Sequence, residues 1–333
     1  MRLEIAQSTP TAASMATLIQ PQYGLGEIVE SEFLRRSFNQ VYRLSFASGQ
    51  RVVARLCADR PRGKPNLRFE AAALEHWAQH GCPVARCLRA ANGEVSISVP
   101  LPEGPRQLIL FEFLDGEFTS KAVEDIEAFA RGLAGLHTAG ETYCGTNSTY
   151  TLDLNYLLLN PLERFLQAPM LTPELRTEFK TLGRRLHDRI VSLGDLQQVL
   201  CHGDAHGDNN FVVQRPDGKR EARFFDFDEA GPGLLAYELA VYPWNIYPRT
   251  PDGKFSNEQR DQWLQFITAY REARSIPDVD VAAIAPFMAV RQFWLLGEYA
   301  GRIPVWGSQS MPTDALRRQV AMLRNWETLA LPN

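Results

Sequence analysis

No Cys-x-x-Cys pair occurs in the 333 residues. The five cysteines, Cys57, Cys82, Cys87, Cys144 and Cys201, are odd in number and scattered, which argues against a disulfide framework. No Cys/His cluster has zinc-ligand spacing, so the cysteines read as reduced, partly buried thiols. A basic excess is missing too. Lys and Arg number 35 against 39 Asp and Glu, a net charge of −4, so a general nucleic-acid binder is not expected. No apolar run approaches the ~18–20 residues of a membrane span. Glu4 and Gln7 fall where a signal peptide needs an unbroken apolar stretch. A cytoplasmic protein is expected, with neither membrane nor nucleic acid among its partners. Internal repeats and low-complexity tracts are absent. What is present is an ordinary globular balance, 45% hydrophobic and 22% charged. At ~100–200 residues per domain, the length suggests two domains or one large one.

The apolar patterning divides the chain. Residues 1–20 read as a helix with a loose start. Residues 33–46 are strand-like, alternating in their second half; Ser48-Gly49 is a turn, and 51–56 the returning strand. The spacing of Phe69, Ala73, Leu74 and Trp77 predicts a helix over 67–80, stopped by Gly81. Residues 93–99 and 107–113 form a further strand pair. From Ala122 onward the pattern is helical, with helices near 122–139, 156–167, 172–194, 257–274, 279–301 and 313–329. It is broken once, where apolar runs at 210–213 and 222–227 flank Pro216-Asp217-Gly218-Lys219, a hairpin signal. The expected fold class is therefore α+β and bilobal. A β-rich lobe spans 1–114, a mainly helical lobe spans 115–333, and the boundary lies near 114–118.

The densest polar cluster is Cys201-His202-Gly203-Asp204-Ala205-His206-Gly207-Asp208-Asn209-Asn210, directly before one hairpin strand; the other ends in Phe225-Asp226-Phe227-Asp228. A tight hairpin brings its ends together, so Asp204, Asn209, Asp226 and Asp228 are expected to converge at one mouth. Carboxylates and an amide offer only oxygen ligands, which suits Mg²⁺ better than zinc or iron. Phosphoryl transfer needs such a group: one carboxylate to take the acceptor proton, and an amide and a carboxylate to hold metal. Asp204 to Asn209 is the D-x-x-x-x-N interval of kinase catalytic loops, and Asp226 follows where a kinase places its metal-binding Asp.

With these motifs the chain resembles the aminoglycoside phosphotransferase/choline kinase family, whose fold is protein-kinase-like. The run FFDFDEAGPGLLAYELAVY looks closest to its stress response kinase A branch. The resemblance spans about residues 30–300 and is specific at the catalytic core. It implies that Asp204 is the catalytic base, that Asn209 and Asp226 are Mg²⁺ ligands, that Asp228 is an auxiliary metal group and that His202 is structural. In the β-rich lobe it implies nucleotide contacts from Asn39, Glu70 and the hinge 112–115, where backbone groups of Glu112 and Leu114 would read the base. The usual third-strand lysine is absent. Arg55 stands on that strand and can fork onto phosphate oxygens, although Ala54 is the alternative register.

Each assignment has a plainer alternative. Asp228 could cap a turn, Glu70 could be a solvated helix carboxylate, Arg55 a surface strand residue and Asn39 an ordinary turn residue. His206 could only orient the loop, and His137 could be a packing residue. Tyr242, Trp244, Tyr247, Phe293, Trp294, Tyr299 and Trp306 could line an acceptor pocket or form core. Arg291 and Glu298 could address the acceptor or pair with neighbours at the surface. The expected activity is phosphoryl transfer dependent on Mg²⁺ and ATP, with GTP as the alternative nucleotide. The acceptor would be a small-molecule hydroxyl on an aminoglycoside-like compound, sugar, amino alcohol or homoserine-like molecule. A Ser/Thr protein kinase and a non-catalytic nucleotide-binding regulatory module are the rivals.

Overall fold

A computed structural model describes residues 3–60 and 63–332. The chain forms two compact units. The first runs through Asp115 and takes in Gly145–Asn147; the second comprises Gly116–Cys144 and the chain from Ser148 onward.

The first unit is built on an antiparallel sheet. Its elements are α1 (Ala12–Ile19), β1 (Ile28–Arg36), β2 (Gln40–Phe46), β3 (Arg51–Leu56), α2 (Leu67–Gln79), β4 (Cys87–Leu88), β5 (Ile97–Val99) and β6 (Arg106–Glu112). The strand order is β1-β2-β3-β6-β4, with β5 also on β6. Helix α1 is shorter than the sequence suggested, because Pro10 disfavours helix before it and Thr11 supplies the N-cap. The preceding segment is instead laced onto the sheet: Gln40 Nε2 donates to the Ser8 carbonyl at 2.7 Å and the Tyr42 hydroxyl to the Pro10 carbonyl at 2.9 Å. The stretch 33–46 is not one strand but the junction of a hairpin, broken at residues 37–39. Tyr42, Leu44, Ala54, Leu56, Leu108 and Leu110 face the core beside Met15 and Ile19. This settles the β3 register. Ala54 belongs to the core, and Arg55, next in the alternation, lies on the opposite face.

The second unit is mainly helical. It contains β7 (Glu117–Phe118), α3 (Val123–Gly140), a π-turn at Asn155–Leu159 leading into α4 (Asn160–Leu166), α5 (Pro173–Val191), β8 (Gln198–Cys201), β9 (Asn210–Gln214), β10 (Arg220–Phe224), β11 (Gly231–Leu234), α6 (Leu235–Ile246), α7 (Asn257–Ala273), α8 (Asp278–Trp306) and α9 (Thr313–Trp326). Two small sheets, β10-β9-β7 and β11-β8, carry the loop that precedes β9. The expected hairpin is present, but its second strand stops at Phe224 rather than at 227. The backbone turns left-handed at Asp226 (φ 65°) and leaves the ladder. Helix α6, which contains Pro243, lies outside the helices predicted from the sequence. Helix α8 also runs longer than expected, through Pro286 and Pro304. Arg291 and Gln292 interrupt it in the sequence, yet by length and composition it is apolar enough to cross a membrane. Of its most apolar window, 78% is buried within the protein, as in a core helix.

Candidate active site

The loop between β8 and β9 is held from below by α6. Glu238, fully buried in the first turn of α6, accepts the backbone N–H groups of His202 and Gly203, both at 2.9 Å. Burial alone pushes the Glu238 carboxyl up, but His137, His202 and the Gly203 amide outweigh it and hold it below the usual carboxylate range. His137 lies 3.7 Å from Glu238, and its Nδ1 meets the Tyr270 hydroxyl at 2.6 Å. It is a buried packing and network residue. Gly203 sits at φ 85°, and a Cβ there would come within 2.2 Å of the Glu229 carbonyl oxygen, so only glycine fits. The next side chain is thereby aimed by backbone geometry.

That side chain is Asp204. Its Oδ1 pairs with the guanidinium of Arg291 from α8 and lies 3.4 Å from His206 Nε2. Burial raises the Asp204 pKa, but Arg291, then His206 and His202, overcome it, so the carboxyl stays well below the ordinary carboxylate range. Arg291 is 3% exposed; its Nη1 donates to the Tyr237 hydroxyl at 3.0 Å, and that hydroxyl donates to the Gly203 carbonyl at 3.3 Å. His202 accepts the Asp204 N–H at Nδ1 (3.3 Å) and donates from Nε2 to the Phe225 carbonyl (3.0 Å), with its ring against Phe227. It ties the β8–β9 loop to the Asp226 segment, which is a structural role. His206 does more than orient the loop. Its Nδ1 accepts the Asp208 N–H at 3.2 Å, so its Nε2 proton points to Asp204.

Asn209 is buried, and its Nδ2 donates to the Asp204 carbonyl at 3.0 Å, which leaves Oδ1 as the atom for a cation. The Phe225 N–H donates to the Asn209 carbonyl at 3.1 Å, bringing Asp226 alongside. Asp226 is the only non-glycine with positive φ among the described residues. Asp228 follows in a turn closed by the Ala230 N–H on the Phe227 carbonyl, and its own carbonyl accepts from Tyr150 at 3.3 Å. Backbone and amide bonds thus link the segments of Asp204, Asn209 and Asp226. Among the described residues no three His, Cys, Asp or Glu side chains stand close enough to hold a metal. The Asp204 carboxylate is turned to Arg291. An amide oxygen beside one or two carboxylates is a small, hard donor set. It fits Mg²⁺, which keeps waters and shares phosphates, better than a many-ligand cage.

In the first unit, Arg55 and Glu70 are neither surface nor solvated. They are 3% and 2% exposed and pair at 2.5 Å, with the guanidinium 4.9 Å from the Phe111 ring centre. Asn39 is not an ordinary turn residue, since its buried Oδ1 accepts the Ala58 N–H at 3.0 Å. At the hinge, the Glu112 N–H donates to the Arg86 carbonyl at 2.9 Å and its carboxylate is clamped by Arg86 at 2.6 Å. Leu114 remains a half-buried hinge position beside Asp115, which pairs with Arg51 at 2.7 Å.

Three of the seven C-terminal aromatics are core. Tyr242 stacks on Phe266 at 4.3 Å, Phe293 meets Phe179 edge-on and the Tyr247 hydroxyl donates to the Gly253 carbonyl. Tyr299 and Trp306 are half-buried and meet edge-on at 5.3 Å. Trp244 and Trp294 pack instead on the Arg291 guanidinium, at 5.1 and 4.2 Å. Glu298 is buried and matched by Arg164 at 3.4 Å. Neither Arg291 nor Glu298 pairs at the surface. Sequence reasoning missed Glu238, Tyr237 and Gly203 as site builders. The available signal was an acid inside the apolar run Leu234-Leu235-Ala236-Tyr237-Glu238-Leu239-Ala240.

Comparison with known proteins places this geometry. An uncharacterized protein of Deinococcus radiodurans is 33% identical over 321 residues, covering 96% of this chain and 90% of its own. Among solved structures, an amicoumacin kinase in complex with AMP-PNP and Ca²⁺ has a TM-score of 0.72 at 17% identity, covering 93% of this chain and 92% of that one. A microcompartment-associated aminopropanol kinase has a TM-score of 0.73 at 18% identity, covering 95% and 96%. A choline kinase from Cryptosporidium parvum has a TM-score of 0.59 at 13% identity, covering 95% and 99%. These structures share the bilobal, kinase-like α+β fold. The profile of the phosphotransferase enzyme family (APH) matches residues 32–276, so the chain belongs to that family and is a phosphotransferase.

Proposed function

We propose that the enzyme moves the γ-phosphoryl group of ATP, with Mg²⁺, to a hydroxyl of a small molecule. The observation that carries this reading is Asp204: an ionised carboxylate on a loop braced by Glu238, oriented by Arg291 and His206, with Asn209 tied to its carbonyl. In the step, the acceptor hydroxyl donates to Asp204 and its oxygen bonds to the γ-phosphorus. The bond from phosphorus to the β–γ bridging oxygen breaks, ADP leaves and the proton passes to Asp204. Asn209 and Asp226 would hold the Mg²⁺, with Asp228 auxiliary; when bound, the ion supplies positive charge against the phosphates. Arg55, aligned by Glu70, is the residue proposed for the nucleotide phosphates in place of lysine. A small-molecule acceptor is favoured by the structural neighbours, described as kinases of amicoumacin, aminopropanol and choline.

The test uses γ-labelled ATP, Mg²⁺ and a bacterial extract divided into small-molecule filtrate and protein retentate. Label should appear in the filtrate as a new organic phosphate, and Asp204→Asn should lower it by about 10²–10⁴-fold, the usual worth of a general base. Label on retentate proteins would replace the small-molecule reading with a protein kinase. Label indifferent to Asp204→Asn would overturn the assignment of the base.

A further inference from the structure

The surroundings of Asp204 carry more positive charge than the carboxylate uses. Arg291 reaches it from α8 between Trp244 and Trp294, and its buried Nε has no hydrogen-bond partner among the described residues. A second guanidinium, Arg249, lies over the same Trp244 ring at 4.3 Å. Arg249 follows the end of α6 and is exposed, and no carboxylate among the described residues lies within ion-pair distance of it. Desolvation first, and then the like charge of Arg291, draws the Arg249 pKa down from its ordinary value, while Tyr299 acts the other way. One tryptophan ring thus carries two cations; Asp204 pairs with Arg291, on which Glu238 also acts through space, and no carboxylate among the described residues pairs with Arg249. Glu298, the only carboxylate in the C-terminal half of α8, is already matched by Arg164. A site built for an amine would show the reverse balance, with spare carboxylates and few arginines.

We infer that the acceptor carries an oxyanion as well as the reacting hydroxyl, and that Arg249, seated on Trp244 beside the Arg291–Asp204 pair, binds it. The acceptor class is then a hydroxy-carboxylate or a hydroxyalkyl phosphate. Either oxyanion accepts the guanidinium fork in the plane that stacking on the indole leaves open. This rests on the phosphotransfer reading only for the hydroxyl end; the anion site stands on the arginines. It departs from the amine-bearing acceptors that the names of the structural neighbours imply.

The test is equilibrium binding, with the full chain and matched three-carbon probes: glycerate, glycerol 3-phosphate, glycerol and 3-amino-1,2-propanediol. At least one of the two anions should bind about tenfold or more tightly than glycerol, with the amine weakest. Arg249→Gln should remove that preference and Arg249→Lys should retain part of it. Where turnover is seen, Arg249→Gln should raise the KM for the anionic acceptor with kcat little changed and the KM for ATP unmoved. Preference for glycerate over glycerol 3-phosphate would assign the oxyanion as a carboxylate, and the opposite as a phosphate. Equal binding of anions and glycerol, tighter binding of the amine, or a preference surviving Arg249→Gln would each overturn the inference. Anion binding lost in Arg249→Gln, with no Asp204-dependent transfer to any probe, would support the anion site while counting against the proposed transfer.

Discussion

At the scale of single residues, the Asp204–Arg291 pair bears on the pH response expected with Asp204 as the proposed base. A general base works only while ionised, and the cation beside Asp204 favours the ionised form. The acidic limb of kcat/KM therefore lies below the ordinary carboxylate pKa of about 4. Arg291→Gln removes the charge while burial remains, so the limb moves upward, by ~1–3 pH units for an opposite charge lost at this range. Arg291→Lys keeps the charge and leaves the limb near its original place. A pH–rate profile of the three forms checks this, and the lysine variant separates charge from packing. In the sequence Arg291 stood open between addressing the acceptor and pairing at the surface, and not as the partner of Asp204. The two are 87 positions apart, and no local pattern encodes a contact of that span.

At the scale of elements, the informative pairing is a helix under a loop. Glu238 in α6 takes two amides with one carboxylate, and the loop has no other way to satisfy them. Glu238→Gln presents an NH₂ group where one of those N–H groups expects an acceptor. A buried unsatisfied donor costs about 1–3 kcal/mol. Glu238→Gln should therefore show lowered stability in urea unfolding, and its residual kcat should fall with KM for ATP little changed. Helix α6 also shows where sequence reading stops. The amphipathic helices α3, α5 and α7 announce themselves by period, α5 and α7 also by their Thr172 and Ser256 caps, and their observed bounds lie within a few residues of those expected. Helix α6 is buried almost throughout, so it has no polar face to reveal a period, and it contains a proline. The loop motif His202–Asn209 was readable because its chemistry is local in the chain. The brace beneath it was not, because burial rather than spacing makes it functional. Likewise Arg55 and Glu70 were recognisable by position, whereas their mutual burial emerges only when β3 and α2 pack.

At the scale of the whole molecule, an excess of buried chain supports a small number of reacting atoms. Each unit has its own core, one around the sheet of the first and one around α8 of the second, and within the second that core fixes the backbone that carries Asp204, Asn209 and Asp226. Fold class and chemistry were legible from the α+β division and the HGD…N…DFD pattern, whereas the aromatic residues of the C-terminal third divide between core and cation stacking in a way only packing reveals. The left-handed turn at Asp226 shows what such support permits. An L-residue there costs about 1–2 kcal/mol that glycine would not, and net stability is only ~5–15 kcal/mol. Asp226→Gly should therefore melt no lower than the wild type by calorimetry and yet transfer no phosphate. Asp226→Asn, an amide equally at home in this backbone, should show what the charge alone contributes. Drift under selection for solubility or thermal resistance alone would erode this position first, so a hardy but inert variant is the expected end of any stabilisation campaign that ignores turnover.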